Sequence, residues 1–250
     1  MIAFNFQTSF HDQRTFAMAA QEGSVLLTGA NGGLGSAIVS KILSTPKLAS
    51  LYGIYAVRKV ETASQLNRAL QGSDTPPVHK HDVVPLDLSS LASVRALAAD
   101  INLRVANRSI PPIRAIILNA AYIEWTEQTT TNDGFDMSFQ SNYLGHWLLV
   151  LLLLQSMDRD EGRILVVGSS MHEWVLVLAL HLISSDVDTC SANDPRNNNA
   201  GPVYVGDYKT IFHDTESLAK GAWSSALHDK SPEAGFRRYG AAKLCSVMNM

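Results

Sequence analysis

The sequence has little cysteine, no long basic run and no long hydrophobic run. Its two cysteines, Cys190 and Cys245, are too few for a disulfide framework, and neither has a second cysteine or a histidine at zinc-finger spacing. This low cysteine content predicts that the protein resides in a reducing compartment. The chain carries 20 lysines and arginines against 23 acidic residues, a net charge of −3, and no basic run is longer than the pair Arg237 and Arg238. That balance indicates no binding surface for nucleic acid or an anionic membrane.

The most apolar stretches are too short to cross a membrane. Residues 147–154 and 174–183 fall well below the roughly 20 residues that a spanning helix needs. The N-terminus has no uninterrupted apolar segment, so it does not resemble a secretory signal. We therefore expect no transmembrane segment and a cytoplasmic protein, with peripheral association at a membrane left open.

The hydrophobic pattern predicts one α/β domain. Hydrophobic residues make up 46% of the 250 residues and charged residues 17%, enough apolar surface to offset chain entropy. Short apolar runs alternate with longer amphipathic ones, which is typical of βαβ units and a doubly wound parallel sheet of Rossmann type. The predicted strands cover residues 25–28, 51–57, 83–86, 115–118 and 163–167, and the predicted helices cover 34–43, 61–70, 91–105, 132–157 and 240–250. Residues 1–22 form an N-terminal extension and 171–235 an irregular insert.

The sharpest local motif is a glycine-rich turn between the first strand and the first helix. It reads Thr28-Gly29-Ala30-Asn31-Gly32-Gly33-Leu34-Gly35. Such a turn lets the backbone approach a pyrophosphate, and the following helix N-terminus directs N–H groups and its dipole at that charge. The alternative is a flexible turn without a ligand. No Gly-Lys dipeptide occurs, which excludes a Walker-type nucleotide loop.

Written as TGxxxGxG, this turn resembles the cofactor fingerprint of the short-chain dehydrogenase/reductase family. The family's other motifs follow in order. Its adenine-contacting aspartate matches Asp87, its Asn-Ala-Gly motif matches residues 119–121 with Ala121 in place of the last glycine, and its helix asparagine matches Asn142. The stretch around Asn142 is most similar to the retinol-dehydrogenase and sterol-ketone-reductase branches. The resemblance covers residues 24–170 and 235–250.

The same resemblance identifies a serine, a tyrosine and a lysine. The segment Arg163-Ile164-Leu165-Val166-Val167-Gly168-Ser169 matches the strand that delivers the catalytic serine, with Ser170 as the second candidate. The YxxxK motif matches Tyr239 and Lys243, which helical spacing places on one face. Reduction of a ketone needs a hydrogen-bond donor and an acid at the carbonyl oxygen, roles that fit Ser169 and Tyr239. The resemblance implies the catalytic set Asn142, Ser169, Tyr239 and Lys243, with Lys243 holding the nicotinamide ribose and Asn142 supporting a proton-relay water.

The end of the second strand predicts the choice of cofactor. NAD users place an acid there, whereas NADP users place an arginine. Here Arg58 and Lys59 come without an acid before Glu61, which favours NADP(H) over NAD(H); the alternative is that Arg58 is an ordinary surface residue. The expected cofactor contacts are Thr28, Gly29, Asn31, Gly33, Leu34, Gly35, Arg58, Asp87, Leu88, Asn119, Ala120, Tyr239 and Lys243.

No metal site is expected. His79, His81 and Asp82 alternate along one strand, but no further cluster of metal ligands follows them in the sequence. The pattern instead favours a small-molecule oxidoreductase that interconverts a ketone or aldehyde and an alcohol on a fairly apolar substrate, with assembly as a homo-oligomer left open. The rival interpretation is a cofactor-binding but catalytically silent protein that acts as an interaction module.

Two departures from the family keep that rival open. Ser169 and Tyr239 are 70 positions apart, where the family usually has a short loop, and Met250 follows Lys243 by only seven residues. The family has two further strands at this end. Together the departures predict an incomplete gene model, with a non-coding segment retained in the insert, and a 250-residue form that is unstable and weakly active or inactive.

Overall fold

The structure contains a five-stranded, wholly parallel sheet with helices on both faces. The computed structural model describes residues 23–71, 79–169, 208 and 213–248. The strand order is β3-β2-β1-β4-β5. The strands are β1 Ser24–Thr28, β2 Tyr52–Val57, β3 His81–Pro85, β4 Ile113–Leu118 and β5 Arg163–Val166. The predicted doubly wound α/β architecture is confirmed.

The helices follow the strands in the alternation expected of βαβ units. They are α1 Gly33–Ser44, α2 Pro46–Ala49, α3 Ser64–Gln71, α4 Leu91–Ala106, α5 Met137–Phe139, α6 Gly145–Leu153, α7 Thr215–Ala219 and α8 Pro232–Met248. A π-helical turn, Gln140–Leu144, joins α5 to α6, and a short 3₁₀ helix, Leu154–Ser156, follows α6. No helix in the described part of the chain is long and apolar enough to cross a membrane.

Burial of both faces explains why the central strands are apolar runs rather than alternating ones. All five residues of β1 are buried. Val25 and Leu27 pack with α1 and α3 on one face, and Leu26 packs with α4 and α6 on the other, because successive strand side chains point to opposite sides. β1 therefore lies at the centre of the core, with its carboxyl end beside that of β4.

The outer strand β5 has a different exposure. Within the described ranges it pairs in parallel with β4, with Ile164 opposite Ile116. Ile164 and Leu165 are both more than 40% exposed. β5 is therefore an edge of the sheet that the described residues form, and its carboxyl end lies beside that of β4.

The single long helix predicted over residues 132–157 is wrong. The Asp136 carboxylate accepts a hydrogen bond from the Phe139 amide at 3.0 Å and so caps a helix that begins only at Met137. The π-helical turn then interrupts the α-helical pattern before Gly145. The predicted helix over 61–70 is likewise divided, into a 3₁₀ turn, Val60–Thr62, and α3.

The sequence pattern predicts that the helix with the YxxxK motif begins at residue 240, but the helix begins earlier. α8 starts at Pro232, because proline suits the first helical turn. The described part of the predicted irregular insert contains α7 and a 3₁₀ turn, Ala222–Ser224. The apolar stretch 174–183, the alternative serine Ser170 and the extension 1–22 lie outside the described residues.

Candidate active site

A cleft of about 740 Å³ lies over the carboxyl ends of the strands. It spans the point between β1 and β4 where the strand order reverses, the usual ligand position in open α/β sheets. All but one of the residues predicted to form the site line this cleft, namely Thr28, Gly29, Asn31, Gly33, Leu34, Gly35, Arg58, Asp87, Leu88, Asn119, Ala120, Ser169, Tyr239 and Lys243. The exception is Asn142.

The glycine-rich turn has the close backbone approach that its sequence predicts. Gly29 has a φ of +67°, in the left-handed region that favours glycine. A Cβ on Gly35 would lie 2.1 Å from the Gly29 carbonyl oxygen, whereas a Cβ on Gly33 would meet nothing within 4 Å. The turn is thus closed on the protein side and open on the cleft side, at the N-terminus of a 12-residue helix. This cradle fits a pyrophosphate.

The polar side chains of this turn hold neighbouring segments in place. Two backbone amides, those of Asn119 and Ala120, donate to the Thr28 hydroxyl at 3.0 and 3.1 Å. The Asn119 amide group donates back to the carbonyl oxygens of Thr28 and Gly29. The ends of β1 and β4 are therefore locked together at the floor of the cleft.

Asn31 has a structural contact that the sequence did not predict. Its side-chain oxygen accepts hydrogen bonds from the amides of Gln65 and Leu66 at 3.0 and 3.1 Å. It thereby satisfies two of the free N–H groups at the start of α3. Asn31 lines the cleft, and it also ties the glycine-rich turn to that helix.

Two cations lie at the end of β2. Arg58 and Lys59 are exposed and line the cleft, and Glu61 is not among the residues that line it. On the next loop the Asp87 carboxylate accepts from the Ser89 amide at 2.9 Å and from the Ser89 hydroxyl at 2.6 Å. One end of the cleft therefore has two exposed cations beside an ordered acidic turn.

The opposite end holds the serine, tyrosine and lysine. Lys243 Nζ lies 5.9 Å from the centre of the Tyr239 ring and donates to the Val167 carbonyl oxygen at 3.0 Å. Val167 follows β5, and Ser169 lies two residues further along the same cleft wall. Lys243 is only 3% exposed, and burial lowers the pKa of its ammonium to about 8. The fold thus gathers residues separated by 70 positions in sequence.

Asn142 lies beside the cleft rather than in its lining. It lines an adjoining pocket of about 280 Å³ together with His146, Lys243 and Ser246. Its side-chain amide is engaged with the backbone of Tyr122, accepting from the N–H and donating to the carbonyl, each at 2.7 Å. Within the π-helical turn, Asn142 therefore anchors the loop after β4 and presents its own backbone carbonyl to the pocket.

The Arg237 and Arg238 pair is buried, and it fixes the helix that carries Tyr239 and Lys243. Arg238 donates to the carbonyl oxygens of Ser224 and Glu127, both at 2.6 Å, and lies 3.3 Å from the Asp136 carboxylate. Arg237 pairs with Asp229. Nothing in the local sequence distinguishes these arginines from surface residues, because two of the partners, Glu127 and Asp136, are remote in sequence.

The two histidines at the start of β3 contact Tyr55 and each other. The Tyr55 hydroxyl and His79 Nε2 are 2.8 Å apart, and the His79 and His81 rings stack at 5.7 Å. The described residues contain no group of three ligand side chains that could hold a metal ion. His146 is the functional candidate that sequence reasoning missed, although its position four residues after Asn142 on a helix was a usable signal.

A parallel sheet wound on both faces, with a glycine-rich turn under a cleft at its switch point, defines a dinucleotide-binding fold of Rossmann type. A family model described as short chain dehydrogenase matches residues 24–175. The chain belongs to the short-chain dehydrogenase family, and the resemblance inferred from its motifs is confirmed.

The chain is similar to curated proteins over most of its length. Over 238 residues and 91% of this chain, it is 52% identical to the short-chain dehydrogenase iccH of Talaromyces variabilis. It is 30% identical, over 92% of its length, to a chloroplastic protochlorophyllide reductase of Daucus carota. The chain spans 62% and 50% of these two relatives. A crystal structure of a metagenomic short-chain oxidoreductase in complex with NADP is 20% identical and covers 59% of this chain and 61% of that chain, with a TM-score of 0.47.

Proposed function

We propose that this protein is an NADP(H)-dependent oxidoreductase that interconverts a ketone or aldehyde and an alcohol on a fairly apolar small molecule. One observation carries the proposal: a single cleft has exposed Arg58 and Lys59 at one end and Tyr239, Lys243 and Ser169 at the other. The glycine-rich turn between these ends supplies the phosphate cradle. From the composition, we propose a cytoplasmic location.

In this proposal, residues at different places along the cleft bind the cofactor and transfer the proton. The helix α1 N-terminus and the turn at Gly29 hold the pyrophosphate, and Arg58 pairs with the 2′-phosphate. When bound, NADPH supplies the hydride to the carbonyl carbon. Ser169 donates a hydrogen bond to the carbonyl oxygen, and the Tyr239 phenol gives it a proton as negative charge develops.

Lys243 supports this proton transfer through its charge. Its ammonium lies within reach of the Tyr239 ring on the same helical face and stabilises the phenolate that proton donation leaves. The Val167 carbonyl fixes the position of Nζ, so the charge stays between the phenol and the end of β5. Each unit by which the phenol pKa falls corresponds to about 1.4 kcal/mol of stabilisation of the phenolate over the phenol.

The direct assay is oxidation of NADPH in the presence of a carbonyl panel. Ketosteroids, retinoids and small aromatic ketones cover the apolar substrate classes, and consumption of NADPH should depend on at least one of them. Parallel fluorescence titration reports whether NADPH binds. Saturable binding with no turnover on any class would instead support the catalytically silent alternative.

Removing the Arg58 guanidinium should change cofactor preference. We expect Arg58→Ala to weaken NADPH binding about tenfold while leaving NADH binding nearly unchanged, because a charge-assisted hydrogen bond is worth about 1.5–3 kcal/mol and 1.4 kcal/mol is tenfold in affinity. Nicotinamide fluorescence titration with both cofactors measures this. The matched control is Arg95→Ala, an exposed arginine on α4. Equal wild-type affinities for both cofactors, or an unchanged NADPH affinity in Arg58→Ala, would contradict the assignment.

A further inference from the structure

A buried histidine connects the glycine-rich turn to the π-helical turn. His146 is 4% exposed, and its Nε2 lies 2.9 Å from the Thr28 hydroxyl oxygen. Its Nδ1 lies 3.3 Å from the Asn142 carbonyl oxygen. Neither contact was apparent from the sequence, and none of the roles assigned above uses His146.

The direction of the hydrogen bond to Thr28 follows from counting donors and acceptors. A threonine hydroxyl has two acceptor positions and one donor. The amides of Asn119 and Ala120 already donate to that oxygen, so both acceptor positions are filled. The hydroxyl hydrogen therefore points to an acceptor, and His146 Nε2 at 2.9 Å is closer than the Ile117 carbonyl at 3.5 Å. Nε2 must then carry no hydrogen.

That direction fixes the state of the imidazole. With Nε2 accepting, the ring is neutral and its hydrogen is on Nδ1, where it donates to the Asn142 carbonyl. Burial also favours the neutral ring, because it lowers the pKa of His146 to about 4. The ring therefore accepts a hydrogen bond from the glycine-rich turn and donates one to the π-helical turn.

The Asn142 carbonyl is also joined to α8. The Ser246 hydroxyl, three positions after Lys243, lies 3.4 Å from the same carbonyl oxygen. The pocket that adjoins the cleft is lined by Asn142, His146, Lys243 and Ser246 together. His146 thus lies between the floor of the cofactor cradle and the Asn142 carbonyl.

We propose that His146 is a positioning residue for the oxidoreduction, holding the Thr28 hydroxyl and the Asn142 carbonyl in one fixed arrangement beneath the cleft. The inference rests on the proposed function for its kinetic consequence. Its structural part, a neutral ring with the hydrogen on Nδ1 and with Nε2 accepting from Thr28, does not depend on turnover. Loss of the ring frees the Thr28 hydroxyl to turn toward Ile117 and leaves the carbonyl of the π-helical turn with a weaker restraint.

Three substitutions at position 146 separate the two hydrogen bonds. His146→Leu removes both while keeping an apolar side chain of similar size. His146→Gln keeps an acceptor near the Nε2 position, and His146→Asn keeps a donor near the Nδ1 position. We expect His146→Leu to reduce kcat/KM for NADPH about tenfold, the effect of about one lost hydrogen bond. His146→Gln should recover most of the NADPH affinity, and His146→Asn should recover less.

A second variant tests the bond from its other end. Thr28→Val removes the hydroxyl, and in a double-mutant cycle its effect on NADPH affinity should be far from additive with that of His146→Leu. Additive effects would overturn the proposal, as would a natively folded His146→Leu variant with wild-type NADPH affinity and kcat. If His146→Leu does not fold, the order of His146→Gln above His146→Asn in NADPH affinity supports the proposal and the reverse order overturns it.

Nitrogen NMR of the histidine ring gives a readout that needs no turnover. In the wild-type protein at neutral pH, His146 should show a single neutral tautomer with the hydrogen on Nδ1. An Nε2–H or charged ring in the wild-type protein would overturn this inference even if the enzyme is active. Absence of turnover with the Nδ1–H tautomer and the NADPH effects intact would count against the proposed function alone.

Discussion

Replacing Tyr239 by phenylalanine is expected to lower the rate of carbonyl reduction by about 10²–10⁴-fold, the usual contribution of a positioned general acid. Removing the phenolic oxygen takes away the proton source, while the ring and the buried Lys243 beside it remain. NADPH affinity should stay nearly unchanged, because the phosphate cradle and Arg58 lie elsewhere along the cleft. Steady-state kinetics and nicotinamide fluorescence titration on the same preparation separate the two effects.

The matched control for this variant is Tyr52→Phe. The Tyr52 hydroxyl donates to Asp82 at 2.6 Å at the amino end of β2, and burial together with the Asp82 charge raises the pKa of Tyr52 to about 12. Its loss should reduce stability and leave kcat unchanged. If Tyr239→Phe keeps most of the wild-type rate, another group donates the proton, and if it loses NADPH binding, the phenol serves the cofactor site.

Replacing Gly35 by alanine is expected to abolish measurable NADPH binding. The added Cβ would lie 2.1 Å from the Gly29 carbonyl oxygen and 2.9 Å from the Ala30 Cα, so the glycine-rich turn must move away from α1. Overpacking of this kind costs about 1–3 kcal/mol of stability, and the displaced turn no longer directs its backbone at the pyrophosphate. Thermal unfolding and a cofactor titration measure the two consequences.

Gly33→Ala is the control for the stability part of this prediction. It lies two residues away at the N-terminus of the same helix, and its Cβ would meet nothing within 4 Å. Its unfolding temperature should equal or exceed that of the wild type, since alanine favours helix. Equal stability of the two variants, with NADPH binding retained in Gly35→Ala, would show that the close approach at Gly29 does not matter.

The strands of this fold could be predicted because their signal is local. The predicted strands 25–28 and 115–118 are short, mainly apolar runs, and they lie in the adjacent inner strands β1 and β4 of the sheet. The first helix shows the limit of such periodicity. Leu34 has core spacing with Ile38 and Ile42, yet it is 57% exposed and lines the cleft.

The breaks in helices could not be predicted because they depend on distant partners. The helical pattern over 132–157 is continuous in sequence, but the Asp136 cap and the bonds between Asn142 and Tyr122 divide it. In the same way, Asn31 caps α3 from 34 positions away. Hydropathy and propensity do not contain such contacts, since they are set by tertiary packing.

The members of the candidate site were predictable, whereas the contacts that each of them makes were not. Ordered motifs placed Thr28, Asn119, Ser169, Tyr239 and Lys243 together, and the structure brings them into one cleft. Their hydrogen bonds emerge only in three dimensions. The side chains of Thr28 and Asn119 close the floor of the cleft.

Asn142 shows the same limit most clearly. Its amide engages Tyr122 instead of the cleft, and its backbone carbonyl is the group that contacts His146 and Ser246. The motif correctly identified Asn142 as a residue near the site, but it did not show that the backbone carbonyl, and not the side-chain amide, makes the contacts there. The role of His146 followed from the same carbonyl.

The central claim is that this cleft holds NADP(H), and titration of the purified chain with NADPH tests it most directly. The claim predicts a saturable change in nicotinamide fluorescence at one site per chain, reversed by an adenosine 2′-phosphate fragment and much less by the fragment without that phosphate. Fluorescence that does not saturate, or equal competition by both fragments, would contradict it.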